Sequence, residues 1–406
     1  MTKRKKKACI AYALLAVLLA AGCSKKNPAA LPEDNPANHG YTPIMETEKG
    51  FYSNYRNAFK SSIYLRFYER GTENQVFVCA RPECQHDGGQ MCTATRSGLD
   101  FLNTILYNGW IYILAVEEAD ETVSYNLYKA ALDGTSLTKV GTAFSVNNSS
   151  GQEYSAMDLQ FIIHKGYAYV PYHLSFGDST FGFAGSGLVK MDISDGSTET
   201  LLSGENYFSD CPYDLQGSGD CIYYIMDGVC RYNITSGEIE KLPDIHWYET
   251  VGRSKYYTQE NYGKDGVLVY EITAYDKETG EKSIIHSSVG QIENTQLLPY
   301  KDMLFAGIDG DLYVYRENGE LLAEIDDFYE YIYTWGYTQL MISGDKLYAE
   351  VPVEAEDGVS LYDDVYNCEV YSYPIDELLK GNIEKALEYK VKNFWTIEKE
   401  FGRDVL

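Results

Sequence analysis

Metal-seeking side chains are densest in this 406-residue sequence along Cys79-Ala80-Arg81-Pro82-Glu83-Cys84-Gln85-His86-Asp87, with Cys92 close behind. Three thiols and an imidazole in so short a stretch satisfy the donor preferences of tetrahedral zinc, which takes thiolate sulfur and neutral imidazole nitrogen. Pro82 stiffens the loop and lowers the entropy lost on ligation. Four protein ligands would leave no open coordination position, so such a centre would be structural, not catalytic. A disulfide between two of the cysteines, with His86 idle, is the competing reading for an exported chain. A reactive thiol is a third.

The other residues that could do chemistry point to recognition. Asp244-Ile245-His246-Trp247-Tyr248 and Tyr331-Ile332-Tyr333-Thr334-Trp335-Gly336-Tyr337 concentrate aromatic rings in segments between repeats. Such rings could stack on sugars or grip a peptide, with His246, Trp247, Tyr248, Tyr333, Trp335 and Tyr337 as contact residues. Rings packed between neighbouring elements are the alternative. No Gly-x-Ser-x-Gly elbow, Gly-x-x-x-x-Gly-Lys phosphate loop or His-Glu-x-x-His helix occurs. Gly182-Phe183-Ala184-Gly185-Ser186-Gly187 lacks the strand-to-helix setting of a phosphate cradle, and Asp309-Gly310-Asp311 reads as a turn rather than a calcium loop. No catalytic residue emerges.

The elements that must position these residues recur along the chain. A polar turn opening onto an aromatic strand appears at Gly50-Phe51-Tyr52, Gly109-Trp110-Ile111-Tyr112, Gly166-Tyr167-Ala168-Tyr169, Asp220-Cys221-Ile222-Tyr223, Ser254-Lys255-Tyr256-Tyr257, Asp302-Met303-Leu304-Phe305 and Asp345-Lys346-Leu347-Tyr348. A second turn follows each: Arg70-Gly71, Asp133-Gly134, Asp195-Gly196, Ser236-Gly237, Thr279-Gly280 and Asn318-Gly319, replaced in the last copy by one helical turn near 374–381. Period-two alternation with glycine-bearing turns is hairpin chemistry. The spacing, roughly 35 to 60 residues, brackets that of propeller blades. The expectation is an all-β chain, a β-propeller of about seven four-stranded blades, with six or eight open. Ring closure would remove exposed sheet edges. The first copy is expected to draw on 393–397 for completion. Cys221 and Cys230 bracket a hairpin and could face each other across it, or remain buried free thiols.

The N-terminus reads as an export signal. Lys3-Arg4-Lys5-Lys6-Lys7 precedes an apolar run, Ala8 to Ala21, too short to span a bilayer and ending in small residues. Residues 24–43 carry Pro28, Pro32, Pro36 and Pro43 without apolar periodicity and read as a tether. The organisation is therefore 1–22 signal, 23–43 anchor and tether, 44–406 a single propeller domain. The formal charge is −26, and cleavage of the signal would make the chain more acidic still. Nucleic acid is excluded as a natural partner by that charge. Tyrosine, 38 residues, is the expected lining of half-exposed strands.

The repeats, the ending Ala20-Ala21-Gly22-Cys23 and the cysteine segment together resemble propeller lipoproteins of Gram-positive anaerobes, a group similar to TolB-like and low-density-lipoprotein-receptor-like propellers. Ala20 stands where such a lipobox more often has leucine. The resemblance spans nearly the whole chain. It implies cleavage before Cys23, lipid on the Cys23 thiol and a location on the outer face of the cell membrane. It implies no catalytic residues. The functional expectation is a lipid-anchored binding or scaffold module for a glycan, a peptide or an envelope protein, with zinc as a structural cofactor. The alternative is a propeller enzyme acting on polysaccharide, a hydrolase or lyase, with carboxylates across the channel.

Overall fold

Short turns fix the register of the sheets. Asn108 and Gly109 both take positive φ, 48° and 75°, the type I′ geometry whose twist suits a two-residue hairpin, and Tyr107 pairs with Trp110 across them. A second turn obeys a different rule. Asp192, Asn233 and Asp276 each accept, through a side-chain oxygen, the backbone N–H two residues on, at 2.8, 2.9 and 3.0 Å. Four residues after each, Gly196, Gly237 and Gly280 take φ of 75°, 75° and 72°. The carboxylate or amide starts the turn, and the residue without a Cβ ends it.

The computed structural model describes residues 45–57, 62–72, 74–86, 89, 91–119, 122–147, 154–156, 160–176, 183–204, 212–242, 248–264, 267–290, 292, 294–329, 338–353 and 367–391. Seven antiparallel sheets follow one another along the chain, at 45–77, 100–147, 154–204, 213–241, 250–289, 295–325 and 339–391. They are the blades of a β-propeller, numbered 1 to 7 in that order. Each takes its strands in sequence, and in blade 3 Tyr154–Ala156 and Ile162–His164 share the innermost position along Tyr167–Phe176. First strands lie inward: Ile162–His164 meets Tyr213–Ser218, which meets Thr250–Val251, then Thr295–Tyr300, then Gln339–Ser343. A bulge between the third and fourth strands recurs at Leu188/Val189, Ile272/Thr273, Val314/Tyr315 and Val370/Tyr371, sharpening the twist each blade needs. The one-turn helix Ile375–Leu378 stands where the last copy lacks its glycine turn. Among the described residues no helix is long and apolar enough to cross a membrane.

Several expectations are corrected in detail. The opening signals mark the turn between first and second strands, so each blade begins one strand upstream of them. Cys221 pairs with Asn233 and Cys230 with Tyr224; the two thiols are not opposite one another, and both are free. Among the described residues blade 1 has four strands within 45–77; the stretch 393–397, expected to contribute to it, lies outside the described residues.

Tyrosine is a core residue here, contrary to the half-exposed role expected of it. Tyr68, Tyr169, Tyr224, Tyr248, Tyr256, Tyr257, Tyr270 and Tyr348 are among the largest fully buried side chains. The reason is that a blade buries both faces. Tyr223 packs toward blade 5 and Tyr224 toward blade 3; Tyr256 packs toward blade 4 and Tyr257 toward blade 6. Seven apolar clusters result, one for each joint between blades.

The last of these joints closes the ring. Phe51 and Tyr68 of blade 1 meet Met341, Tyr348, Val370 and Tyr389 of blade 7, with the Phe51 and Tyr389 ring centroids 4.5 Å apart. Above them the Arg70 guanidinium lies 4.6 Å over the Phe51 ring and bonds Glu388 and Glu46. Glu388 also accepts Lys346 Nζ at 2.8 Å and Ser372 Oγ at 2.6 Å, and its backbone carbonyl accepts Gly71 N–H at 2.8 Å. Burial alone would push the Glu388 carboxyl up, but these bonds and the Arg70 and Lys346 charges outweigh it and hold it below the ordinary range. A depressed carboxyl stabilises the fold above its unfolded pKa, and that stabilisation fades as pH falls through the folded value. Glu388→Gln is therefore expected to lose about 2 kcal/mol at pH 7, measured by urea denaturation. The gap to the parent protein should narrow as the pH drops below 4.5.

Candidate metal centre and channel-side residues

Blade 1 ends in a fourth strand of only three residues, Gln75–Phe77, and the chain must then cross to blade 2. Val78 N–H bonds Leu65 O at 3.0 Å and Ala80 N–H bonds Gly134 O at 3.1 Å. Cys79 thus sits between blade 1 and the outer turn of blade 2. Gly134 has φ +70°, and a Cβ there would lie 2.6 Å from Cys79 N, so glycine is required twice over. Arg81 O accepts Cys84 N–H at 3.1 Å, a β-turn with Pro82 at the position its fixed φ favours. His86 follows with φ 54°, its ring 4.6 Å from that of Phe77. Cys92 is buried, and its backbone bonds Gly89 O at 2.8 Å.

These turns bring all four sequence-predicted donors together. The ligand atoms of Cys79, Cys84, His86 and Cys92 lie within 4.8 Å of one another, with Cys92 Sγ 3.6 Å from His86 Nδ1. A tetrahedron with metal–sulfur bonds of about 2.3 Å has edges of about 3.8 Å, so the cluster could hold a metal ion with small adjustments. All three thiols are free; the alternative disulfide is not formed. Burial alone would raise the Cys79 thiol, but the backbone groups of Thr93 and Arg81 hold it below the usual range. Burial pushes Cys92 up to about 12, with the Cys84 and Cys79 thiols adding to the rise. A divalent cation reverses that balance, since a coordinating thiol is deprotonated outright.

One residue of this site has no signal in the sequence. Thr93 Oγ1 lies 2.7 Å from Val78 O and 2.8 Å from Gly134 O, so one hydroxyl serves carbonyls of two blades. Only its adjacency to Cys92 could have drawn attention to it.

The aromatic contact residues fare differently. Tyr248 is buried in the joint between blades 4 and 5, its hydroxyl donating to Asp214 O. It is a packing residue, because the ring fills the space between two inner strands. His246, Trp247, Tyr333, Trp335 and Tyr337 lie outside the described residues, as does Cys23.

Inner strands are joined by amides that side-chain chemistry makes two-handed. Gln216 Oε1 accepts Val251 N–H at 2.7 Å and its Nε2 donates to Glu249 O at 3.2 Å. Gln296 does the same to blade 7, accepting Leu340 N–H at 2.7 Å and donating to Thr338 O at 2.6 Å. Beside the first of these lies a carboxylate unnoticed in the sequence. Glu249 accepts Gln259 Nε2 at 2.7 Å, and burial, partly offset by that bond and reinforced by the Asp214 charge, raises its pKa.

Thr93→Val should take this donor from Val78 O and leave Gly134 O with only its Ala80 N–H bond, at a cost of about 1–3 kcal/mol, read as a lowered urea midpoint with unchanged slope. Gly134→Ala, which meets backbone instead of a movable side chain, should cost more.

No family model matches the chain, and no curated protein does. Solved structures with similar folds include an oligogalacturonate lyase in complex with manganese, at 11% identity and TM-score 0.44 over 74% of this chain and 82% of that one. An uncharacterized protein from Listeria monocytogenes is similar at 11% identity and TM-score 0.45, over 72% of this chain and 83% of that one. A protein from Lactobacillus plantarum is similar at 12% identity and TM-score 0.39, over 86% and 93%. At such identities the likeness speaks of fold alone.

Proposed function

We propose that this chain is a lipid-anchored, extracytoplasmic binding module that presents a glycan-, peptide- or envelope-protein-binding surface on a rigid propeller. The observation that carries the reading is the locking of adjacent inner strands by Gln216 and Gln296. A ring fastened in this way holds its connecting segments in fixed relation, and segments on a rigid scaffold are where recognition concentrates. His246, Trp247, Tyr333, Trp335 and Tyr337 supply the aromatic contacts. The Ala-Ala-Gly-Cys ending at Cys23 supports lipidation, and multiple acyl chains would anchor the protein firmly. The metal is zinc, by the donor chemistry of three thiols and an imidazole, and four protein ligands make it structural.

The polysaccharide-enzyme reading has one observation in its favour, the Glu249 carboxyl, raised by burial and by the Asp214 charge, immediately before the inner strand Thr250–Val251. A carboxyl so shifted suits a general acid.

Binding is tested by thermal shift of the purified full chain against cell-wall oligosaccharides and peptides. A ligand of the native state raises the melting temperature by mass action, and Trp335→Ala or Trp247→Ala should abolish the shift. A flat screen would sink the glycan and peptide readings and leave a protein partner. Cys23→Ala should move the protein from the membrane fraction to the soluble one.

Glu249→Gln separates the two readings. A raised carboxyl weakens the fold as pH rises through its folded pKa. The variant should therefore be at least as stable as the parent at pH 7, with the gain absent at pH 4. If the protein cleaves a glycan, the same variant should bind it and release no product.

A further inference from the structure

Resting on the zinc reading above, we propose that the Cys79–Cys84–His86–Cys92 centre is a metal-operated latch that fastens blade 1 to blade 2, so that zinc occupancy decides whether blade 1 stays docked in the ring.

The four donors are held in two unequal ways. Cys79 and Cys92 belong to the framework. Cys79 lies between two backbone bonds, Val78 N–H to Leu65 O within blade 1 and Ala80 N–H to Gly134 O of blade 2. Cys92 is buried and immediately precedes Thr93, whose hydroxyl reaches Val78 O and Gly134 O. Ala94 O then accepts Leu65 N–H at 2.9 Å. Carbonyls and amides of both blades therefore converge on the short backbone segments that carry these two thiols. Cys84 and His86 ride on a segment of another kind, where Arg81, Pro82, Glu83 and Gln85 are all exposed. An ion bound by all four donors ties this exposed segment to the framework pair and pins Cys79 to Cys92 across the Thr93 knot.

Blade 1 is the blade that needs such a fastening. Its first and fourth strands, Met45–Thr47 and Gln75–Phe77, have three residues each, against eight and eleven in blade 2. Toward blade 7 it is held by Arg70, Glu46 and Glu388. Toward blade 2 it has the apolar cluster around Leu65 and Ile111, the Tyr52 hydroxyl on Leu132 O at 2.8 Å, and the metal centre. The ion thus stands on the opposite flank of blade 1 from the ionic closure, and each secures one side.

The test is hydrogen exchange of the purified full chain, zinc-loaded and after chelation, with metal content measured in parallel. One zinc per chain is expected. Chelation should speed exchange at the amides of Leu65, Val78 and Ala80 at least tenfold, while Val251 and Leu340, in distant joints, keep their protection. Cys84→Ser removes a donor without touching the framework pair and should reproduce the chelated pattern in a folded protein; His86→Ala, which also removes the ring contact with Phe77, should do the same. Stoichiometric zinc whose removal leaves Leu65, Val78 and Ala80 protected would overturn the latch while sparing the zinc reading. Failure to bind zinc at all would overturn both. Loss of protection throughout the chain would overturn the latch as a local device and make the ion a condition of folding.

Discussion

A closed ring built from one continuous chain has one joint that continuity cannot supply, and here it is the contact between blades 1 and 7. Among the described residues each of those blades takes its strands from its own end of the chain, and the two share none. Side chains, with one backbone bond from Gly71 N–H to Glu388 O, make the joint. The aromatic cluster of Phe51, Tyr68, Tyr348 and Tyr389 provides the apolar part, and Glu388 provides the specificity. A nearly buried carboxylate is costly unless charges and donors surround it. Lys346 and Ser372 reach it from within blade 7, and Arg70 of blade 1 joins them only when the two ends of the chain have met. The arrangement therefore favours the correct closure over any compact state in which Glu388 is buried alone.

The other six joints use the same logic with less charge. A blade buried on both faces cannot use the apolar-in, polar-out alternation of a one-sided sheet. Consecutive apolar positions such as Ile162 and Ile163, Tyr223 and Tyr224, or Tyr256 and Tyr257 point to opposite neighbours. Tyrosine suits these places because its ring fills the gap between sheets, and elsewhere in the propeller its hydroxyl reaches the backbone beyond. Tyr52 finds Leu132 O, Tyr248 finds Asp214 O, and Gly166 N–H finds Tyr107 Oη. Gly217 shows how close the approach is, since a Cβ there would lie 2.5 Å from His164 Nδ1.

The joint between blades 1 and 2 departs from this scheme by adding a donor cluster at its rim. Its geometry depends on elements far apart in sequence. Gly134 on the outer turn of blade 2 receives Ala80, Thr93 links Val78 to that same carbonyl, and the Arg81–Cys84 turn brings the second thiol back toward the first. A metal held by this cluster, on a joint rather than within a blade, would couple local chemistry to the docking of a whole sheet.

Much of this was legible in the sequence. Turn residues and period-two aromatic strands pointed to an all-β chain of about seven repeating units, with six and eight left open, because φ preferences and side-chain alternation act over a few residues and leave their mark locally. The donor set was legible for the same reason: Cys79, Cys84, His86 and Cys92 are neighbours in sequence, and a loop that short keeps them neighbours in space. What lay beyond the sequence was every relation between blades. That Tyr248 is core and not a contact surface, that Thr93 and Gly134 share the donor cluster's backbone, that the Asp214 charge acts on Glu249, and that Arg70 closes the ring on Glu388 are facts about surfaces brought together from distant positions. They are decided by how seven sheets pack side by side, since burial, and the charge shifts that follow from it, exist only once the ring has closed.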